Sequence, residues 1–387
     1  MKRILQKLNL DVGDLAVEDA MLRAERAYHR RGTEILQFEK YHIFDYMQND
    51  IARIRDKIAE DGDLIRYCYF LSEILETGDS SAIASLSSPC KDRKDEMFDL
   101  LPLFGLLDRI PDMVRNLRAR CVPEDVVLDT CKMFQNQVQD FVDLHHRYGI
   151  SDYVLWLWRF LQCRIIRVGR FNLEMTLYQA PFEILTDGNR CVAIPNGLTF
   201  HKSGRVLGSV GCEATDGSFD GAFWENDSCF SGLVTENGLC KRETAQYAKS
   251  EWRLAVTRGT PVISVHIPSG GPLSPDVCER DLARGKELIN RCFGEYRHFY
   301  CKSWLMDPQL GDLLNQKGNL FRFAERFLRF PAKSQGRAVF TYAYQLPADT
   351  PPERLPEHTT LAKAVKKHLC AGGHIYESCG IIVDGEV

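Results

Sequence analysis

The spacing of apolar residues changes near Arg164, and this change constrains the fold more than any other feature of the chain. Between residues 123 and 146, apolar residues recur every three or four positions, which is the period of one face of an α-helix. Between residues 164 and 177, apolar and polar residues alternate, as they do in a half-buried β-strand. Helices followed by mixed strands and helices predict an α+β protein with two domains, residues 1–163 and 164–387.

The first domain is predicted to be almost entirely helical. Long stretches without proline indicate helices over residues 15–39 and 41–58, and the clearest helix spans residues 123–146. Pro123 suits a first helical position, and Gly149 is expected to end the helix. Its predicted buried stripe is Val127, Cys131, Phe134, Val138 and Phe141. No cluster of polar residues points to catalysis here, so we interpret this part as a structural helical domain.

The second domain is predicted to alternate strands with helices. Expected strands span residues 164–177, 191–194, 206–210, 262–267, 298–306, 338–345 and 380–383. Expected helices span residues 275–292, 309–328 and 360–369. Residues 211–259 are rich in Gly, Asp, Asn and Ser with interspersed aromatic residues, which favours a long functional loop or an excursion over a site.

Composition and charge exclude several classes of protein. The 387 residues are 44% hydrophobic and 26% charged, as in an ordinary globular protein. The net charge is −4 and neither half is basic, so no electrostatic footprint for nucleic acid is present. The first 19 residues turn acidic before an apolar segment forms, and the apolar stretch 153–161 is short and contains Arg159. We therefore expect a cytoplasmic protein with no membrane partner.

The cysteines do not form a recognisable framework. There are 14, scattered along the chain, with no CxxC pair and no Cys/His spacing typical of zinc. Most lie among apolar residues, where a free cysteine behaves as a small hydrophobic side chain. We expect reduced thiols and no metal site.

The segment from residue 262 to residue 276 carries the strongest indication of a ligand site. A predicted strand leads through Ser269, Gly270 and Gly271 to a helix that starts at Ser274 as cap. Glycines allow close approach of backbone N–H groups to a phosphate, and the helix start adds unpaired donors and a positive dipole end. No Lys or Arg lies between residues 262 and 279, so a phosphate held here would depend on backbone groups. A plain strand–turn–helix connection is the alternative.

Several side chains near these strands are candidates for proton transfer. His266 lies in the apolar strand and is either a general base or a hydrogen-bonded structural histidine. Cys301 and Ser303 alternate on the next strand, and either is a candidate proton donor or nucleophile, with a buried structural role as the alternative for Cys301. His374 and Glu377 follow a glycine turn and are capping groups, site groups or neither. No GxSxG or HExxH motif is present.

Six stretches together resemble a known family. They are FDLLPLFGLLDRIPDMVRNLRARCVPEDVVLDT (98–130), WLWRFLQCRIIRVGRFNLEM (156–175), ISVHIPSGGPLSPDVCERDLARGKELI (263–289), YCKSWLMDPQL (300–310), NLFRFAERF (319–327) and LPEHTTLAKAVKKHLCAGGHIYESCG (355–380). On these stretches the chain resembles the two-domain bacterial acyltransferases that combine an N-acyltransferase N-terminal domain with a GNAT-like C-terminal domain.

The resemblance implies a mixed, splayed sheet that holds an acyl-CoA between two parting strands. It places the donor pyrophosphate on the turn after the fourth strand of the fold. By position, the implied binding residues are Ile267, Ser269, Gly270, Gly271, Leu273 and Ser274. The family usually has Gln/Arg-x-x-Gly-x-Gly/Ala at this turn, whereas this chain has Ser-Gly-Gly-Pro and lacks the Gln/Arg. Acyl-CoA is therefore the implied co-substrate, with the acyl group left open.

The implied reaction is direct transfer of the acyl group to an amine or another small nucleophile. A general base, for which the candidates are His266 and Glu213, removes the acceptor proton, and a backbone N–H stabilises the oxyanion. Cys301 or Ser303 would protonate the CoA thiolate. A non-catalytic acyl-CoA or nucleotide sensor and a Cys301-dependent acyl hydrolase are the alternatives from other classes. The acceptor and the oligomeric state cannot be read from the sequence.

Overall fold

The chain divides into two compact units, Met1–Arg167 and Val168–Val387. The structure, a computed structural model, describes residues 1–12, 17–314 and 318–383. All of the cysteines are free thiols. Within the described part of the chain, no helix is both long enough and apolar enough to cross a bilayer.

The first unit is built from helices, which confirms the prediction for this part of the chain. In order they are α1 Lys2–Lys7, α2 Glu18–Arg31, α3 Gln48–Ala59, α4 Gly62–Thr77, α5 Ser80–Leu86, α6 Glu96–Leu107, α7 Ile110–Ala119, α8 Glu124–His145 and α9 Val154–Leu161. Asp61, Asp79 and Asp95 cap α4, α5 and α6 by accepting hydrogen bonds from backbone N–H groups of the first turn.

The predicted buried stripe of α8 is confirmed, but both ends of the helix differ from the prediction by at least one residue. All five stripe residues are buried. Pro123 is the residue before the first helical turn, with extended backbone, and not the first helical residue. His146 ends the helix in the left-handed conformation, three residues before Gly149. In this conformation the His146 N–H donates a hydrogen bond to the Val142 carbonyl in the last turn of the helix.

Two helices of the first unit are shorter than predicted. The helix expected over residues 15–39 corresponds to α2, and its predicted first residue, 15, lies outside the described residues. α2 ends at Arg31, and Gly32, with φ +54°, begins a 3-10 turn. The helix expected over residues 41–58 begins only at Gln48. Local composition without proline permits a helix but does not set its ends, which depend on capping and packing.

The second unit contains most of the strands. They are β1 Ile165–Val168, which straddles the division, β2 Phe171–Leu177, β3 Phe182–Thr186, β4 Cys191–Pro195, β5 Leu198–Phe200, β6 Phe219–Gly221, β7 Trp224–Glu225, β8 Cys229–Glu236, β9 Leu239–Ala248, β10 Arg253–Val256, β11 Pro261–His266, β12 His298–Ser303, β13 Leu328–Pro331 and β14 Ser378–Ile382. Its helices are α10 Pro275–Cys292, α11 Gln309–Leu313, α12 Asn319–Glu325, α13 Ala338–Tyr344 and α14 Thr360–Cys370.

The main sheet is mixed, as predicted. In the described residues it has six strands in the order β1-β2-β11-β12-β14-β13. β11 runs antiparallel to β2 and parallel to β12, and β14 is antiparallel to both β12 and β13. α10 makes the crossover that two parallel neighbours require. The α+β class is therefore confirmed.

A hairpin replaces the single strand predicted over residues 164–177. The chain turns at Gly169, whose φ of +52° is a conformation that L side chains rarely adopt, and β1 and β2 flank this turn. The alternation of apolar residues continues across the turn, which is why a single strand was the expectation.

Residues 211–259 are not a loop, because they contain β6 to β10. β8 and β9 form a hairpin whose turn residues, Asn237 and Gly238, both have positive φ. Asn-Gly is the strongest short signal for such a turn, and it was present in the sequence. Together with β3, β4 and β5, these strands form three small sheets. They are inserted along the chain between β2 and β11, which are neighbours in the main sheet.

Three further predictions were wrong in type or extent. Residues 338–345 form the helix α13 and not a strand, with the Tyr344 hydroxyl donating to the Ala362 carbonyl. The helix expected over residues 309–328 is divided into α11 and α12, and Leu328 begins a strand. Residues 206–210 contribute only an isolated bridge from Val206 to Phe200. In each case tertiary contacts override a weak local preference.

Candidate functional site

The parallel strands β11 and β12 pair only over their first halves. The ladder joins Val262 to His298, Ile263 to Phe299 and Ser264 to Tyr300, and ends there. β11 nevertheless continues to His266, and β12 continues to Ser303. Two strands that begin paired and then lose their pairing open a wedge between their carboxyl ends. The predicted splay lies at this point.

One face of the sheet beside the wedge is polar. The antiparallel register of β11 with β2 sets Ser264 opposite Glu174 and His266 opposite Asn172. Because side chains alternate along a strand, these four residues and Tyr300 share one face. Glu174 and Asn172 are both buried.

The opposite face is apolar and is covered by α10. Leu173 and Val265 belong to this face and are buried. α10 approaches so closely that a Cβ added at Gly285 would collide with the Leu173 side chain. The chemistry of the wedge is therefore confined to the polar face.

His266 and Glu174 form a hydrogen-bonded pair on the polar face. Nε2 of His266 lies 3.0 Å from Oε2 of Glu174. The Glu174 side chain is only 6% exposed, whereas the His266 side chain is 31% exposed. A buried carboxylate that contacts one imidazole nitrogen orients the ring. The sequence shows Glu174 as a strand residue, but only the register of β2 with β11 reveals its partner.

The glycine turn lies between the end of β11 and the start of α10. Gly270 and Gly271 have φ values of +75° and +73°, and both are exposed. Pro275 occupies the first turn of α10, and Ser274 precedes it in extended conformation. The Ser274 side chain makes no capping hydrogen bond, contrary to the expectation. The N–H groups of the first turn therefore lack a side-chain cap, which suits an anion site.

The remaining predicted turn residues differ in exposure. Ile267 is half-buried and Ser269 is exposed, so both border the open side of the turn. Leu273 is buried and anchors the turn to the core. These residues stay together along one loop, as predicted from their continuity in sequence.

The structure places Cys301 and Ser303 away from the His266 face. Both lie on the face of β12 opposite Tyr300, because side chains alternate along a strand. Cys301 is completely buried, and burial raises the pKa of its thiol well above the usual range. The Ser303 hydroxyl accepts a hydrogen bond of 3.2 Å from the Leu305 N–H and caps a short 3-10 turn. These contacts argue against both residues as proton donors to a bound thioester.

Glu213 belongs to a different neighbourhood. It is exposed, and its Oε1 accepts a hydrogen bond from the Gly211 N–H at 3.0 Å. A Cβ built on Gly211 would lie 2.8 Å from Cδ2 of His374, so this loop lies beside the C-terminal segment. Glu213 therefore lies in the loop that neighbours His374, and it remains a candidate for the base.

A buried ion pair organises the segment around His374. Nη2 of Arg205 lies 3.2 Å from Oδ1 of Asp307, and the guanidinium stacks 3.6 Å above the Tyr376 ring. The Tyr376 N–H donates to Oδ2 of Asp307 at 2.7 Å. His374 accepts through its carbonyl from Gln309, 3.2 Å away. The cluster joins three separate segments of the chain, so its role is structural.

Glu377 also has a structural contact. Its N–H donates to the Ser334 hydroxyl at 2.8 Å, and Ser334 is buried. In the described residues, no group of three or more His, Cys, Asp and Glu side chains has the arrangement of a metal site.

Comparisons with known proteins agree with this architecture. Among solved structures, an acyltransferase mutant in complex with octanoyl-CoA is similar over 99% of both chains, with 16% identity and a TM-score of 0.62. An acyltransferase in complex with decanoyl-CoA is similar over 99% of both chains, with 19% identity and a TM-score of 0.62. Another, in complex with decanoyl-CoA and teicoplanin, covers 99% of this chain and 98% of its own, with 16% identity and a TM-score of 0.59. A search of curated protein sequences gave no match.

Family models match both parts of the chain. The model of the N-acyltransferase N-terminal domain matches residues 37–163. The model of the GNAT-like C-terminal domain matches residues 165–382, which is more than half of the sequence. The structural likeness, at identities below 20%, independently supports the fold. The chain therefore belongs to the family that combines an N-acyltransferase N-terminal domain with a GNAT-like C-terminal domain.

Proposed function

We propose that this protein transfers an acyl group from a CoA thioester to an amine or another small nucleophile. The observation that carries the proposal is the wedge between β11 and β12, which opens directly beside the His266–Glu174 pair. The similar solved acyltransferases bind octanoyl-CoA or decanoyl-CoA, which supports a CoA thioester as donor. The free thiols support a reducing, cytoplasmic setting.

In this mechanism the thioester carbonyl lies in the wedge and the acceptor approaches over the polar face. The acceptor nitrogen attacks the carbonyl carbon, and a backbone N–H of β11 beyond Ser264 stabilises the oxyanion. The C–S bond then breaks and CoA leaves as a thiolate. Because model thiols have a pKa of about 8.5, the thiolate is a good leaving group and water can protonate it.

His266 receives the proton that the attacking amine loses. The Glu174 carboxylate, whose Oε2 lies 3.0 Å from Nε2, orients the ring for this transfer. The Glu174 carboxylate stabilises the imidazolium that forms, so the pair acts as base and positioning residue. No observation favours the Cys301-dependent hydrolase, since that thiol is buried with a raised pKa.

The first test combines thiol release with thermal unfolding. Thiol release from acetyl-, butyryl-, octanoyl- and decanoyl-CoA is measured with and without small amines, amino sugars and teicoplanin. We expect release that requires an acceptor, whereas a hydrolase needs none and a sensor releases no thiol. CoA at about 100 times its dissociation constant should stabilise the folded protein by about 2.7 kcal/mol. Melting unmoved by millimolar CoA esters, with no thiol release, would contradict the proposal.

A second test addresses the glycine turn. Gly271→Asn keeps a residue that tolerates positive φ but adds a side chain where backbone N–H groups would face a phosphate. We expect CoA affinity to fall about tenfold or more, measured by calorimetry. Gly188→Asn in the β3–β4 turn is the control, because Gly188 also has positive φ and a Cβ added there meets no atom within 4 Å. Equal CoA affinity in the two variants would place the donor phosphates elsewhere.

A further inference from the structure

The hairpin turn between β1 and β2 is fastened to α10. The backbone N–H of Arg170 donates to Oδ2 of Asp281 at 2.8 Å, and the Asp281 side chain is 5% exposed. A Cβ added at Gly169 would collide with the same carboxylate. Glycine and a buried acceptor therefore hold Arg170 in one place against the helix.

Two nitrogens of the half-buried Arg170 side chain are buried without a hydrogen-bond partner. Its Nε and Nη1 atoms are both inaccessible to solvent and make no hydrogen bond within the described residues. Burial also lowers the pKa of this side chain. Buried polar groups in folded proteins nearly always have hydrogen-bond partners. Two guanidinium donors without a partner therefore indicate that a ligand supplies the acceptor atoms.

The guanidinium lies against the glycine turn. A Cβ built on Gly271 would be 3.5 Å from Nε and 3.6 Å from Cδ of Arg170. Arg326 reaches the same helix start, where its Nη2 donates to the Pro275 carbonyl at 3.1 Å. The sequence has no Lys or Arg between residues 262 and 279, whereas the tertiary structure brings the Arg170 side chain from the β1–β2 turn to this place.

We propose that Arg170 binds the pyrophosphate of the CoA donor and takes the place of the Gln/Arg that the turn itself lacks. This inference rests on the proposed function. The guanidinium of arginine is permanently charged, and its hydrogen bonds to phosphate oxygens are stronger than those between neutral groups. The N–H groups at the start of α10 bind the same anion from the other side.

The test compares Arg170→Gln and Arg170→Lys with the wild type by calorimetry. We expect Arg170→Gln to weaken binding of CoA and of 3′-dephospho-CoA by the same factor, about 10- to 100-fold. Arg170→Lys keeps the positive charge but not the planar guanidinium, so its affinity for both ligands should lie between those of the wild type and of Arg170→Gln. Arg291→Gln is the matched control, since Arg291 is exposed in the last turn of α10, and should bind both ligands as the wild type does.

Phosphate-free donors separate ligand binding from damage to the fold. Turnover of an acyl-pantetheine should be equal in the wild type and in Arg170→Gln. The free variant should melt no lower than the wild type, because it loses a buried charge that has no partner. Three results for Arg170→Gln would each overturn the inference. They are an unchanged affinity for CoA, a lower affinity for CoA but not for 3′-dephospho-CoA, and a fall in acyl-pantetheine turnover as large as the fall in CoA affinity. A wild type that neither binds CoA nor releases thiol would instead contradict the proposed function itself.

Discussion

Replacement of His266 by Gln should lower kcat by about 10²- to 10⁴-fold and leave the CoA-induced rise in melting temperature unchanged. The reason is that His266 lies on the polar face beside the wedge, where it is placed to accept the acceptor proton, and not on the glycine turn. Steady-state kinetics with a saturating donor measures kcat, and thermal unfolding with and without CoA measures the rise in melting temperature.

Glu174→Gln should show a smaller loss of kcat, because the amide still bonds to the ring but no longer stabilises the imidazolium. His358→Gln is the control, since His358 is exposed in the same unit. A His266 variant with wild-type kcat would remove His266 from the mechanism and leave Glu213 as the remaining candidate.

Replacement of Asp307 by Ala should reduce the free energy of unfolding by about 3–5 kcal/mol. The Asp307 side chain is fully buried and accepts from the Arg205 guanidinium and from the Tyr376 N–H. Its removal leaves a buried positive charge and an unpaired N–H, which are among the largest penalties that one substitution produces. Urea unfolding followed by circular dichroism measures the change.

Asp307→Asn should destabilise less, because its side-chain oxygen still accepts from the Tyr376 N–H. The control is Asp349→Ala at an exposed position, expected to change the free energy of unfolding by less than about 0.5 kcal/mol. An Asp307→Ala variant as stable as the control would show that the cluster does not tie the three segments together.

The elements that were predicted best have strong local patterns. α8 places five apolar residues on one face, and α10 begins after a glycine turn, so both follow from local spacing alone. The elements predicted wrongly have weak or conflicting patterns. The β-branched and aromatic residues of α13 favour a strand locally, whereas in the structure Val339 and Tyr344 are buried and the Tyr344 hydroxyl donates to the Ala362 carbonyl.

The candidate site shows the same division. His266 and the glycine turn are visible in the sequence because each depends on residues that are adjacent along the chain. Cys301 also stood out, but the burial of its thiol depends on how the sheet is covered. Glu174 and Arg170 carried no local signal, since their partners are 92 residues away for Glu174 and about 100 for Arg170.

The sequence by itself determined the fold class, the strand that carries His266 and the turn that precedes α10, because hydrophobic period and glycine placement act over a few residues. The tertiary structure alone decided which charged groups meet. The register of β2 with β11 brings Glu174 to His266. The fastening of the β1–β2 turn to Asp281 brings Arg170 to Gly271. Strand register and helix packing are set by the summed burial of the whole sheet, so no local pattern contains them.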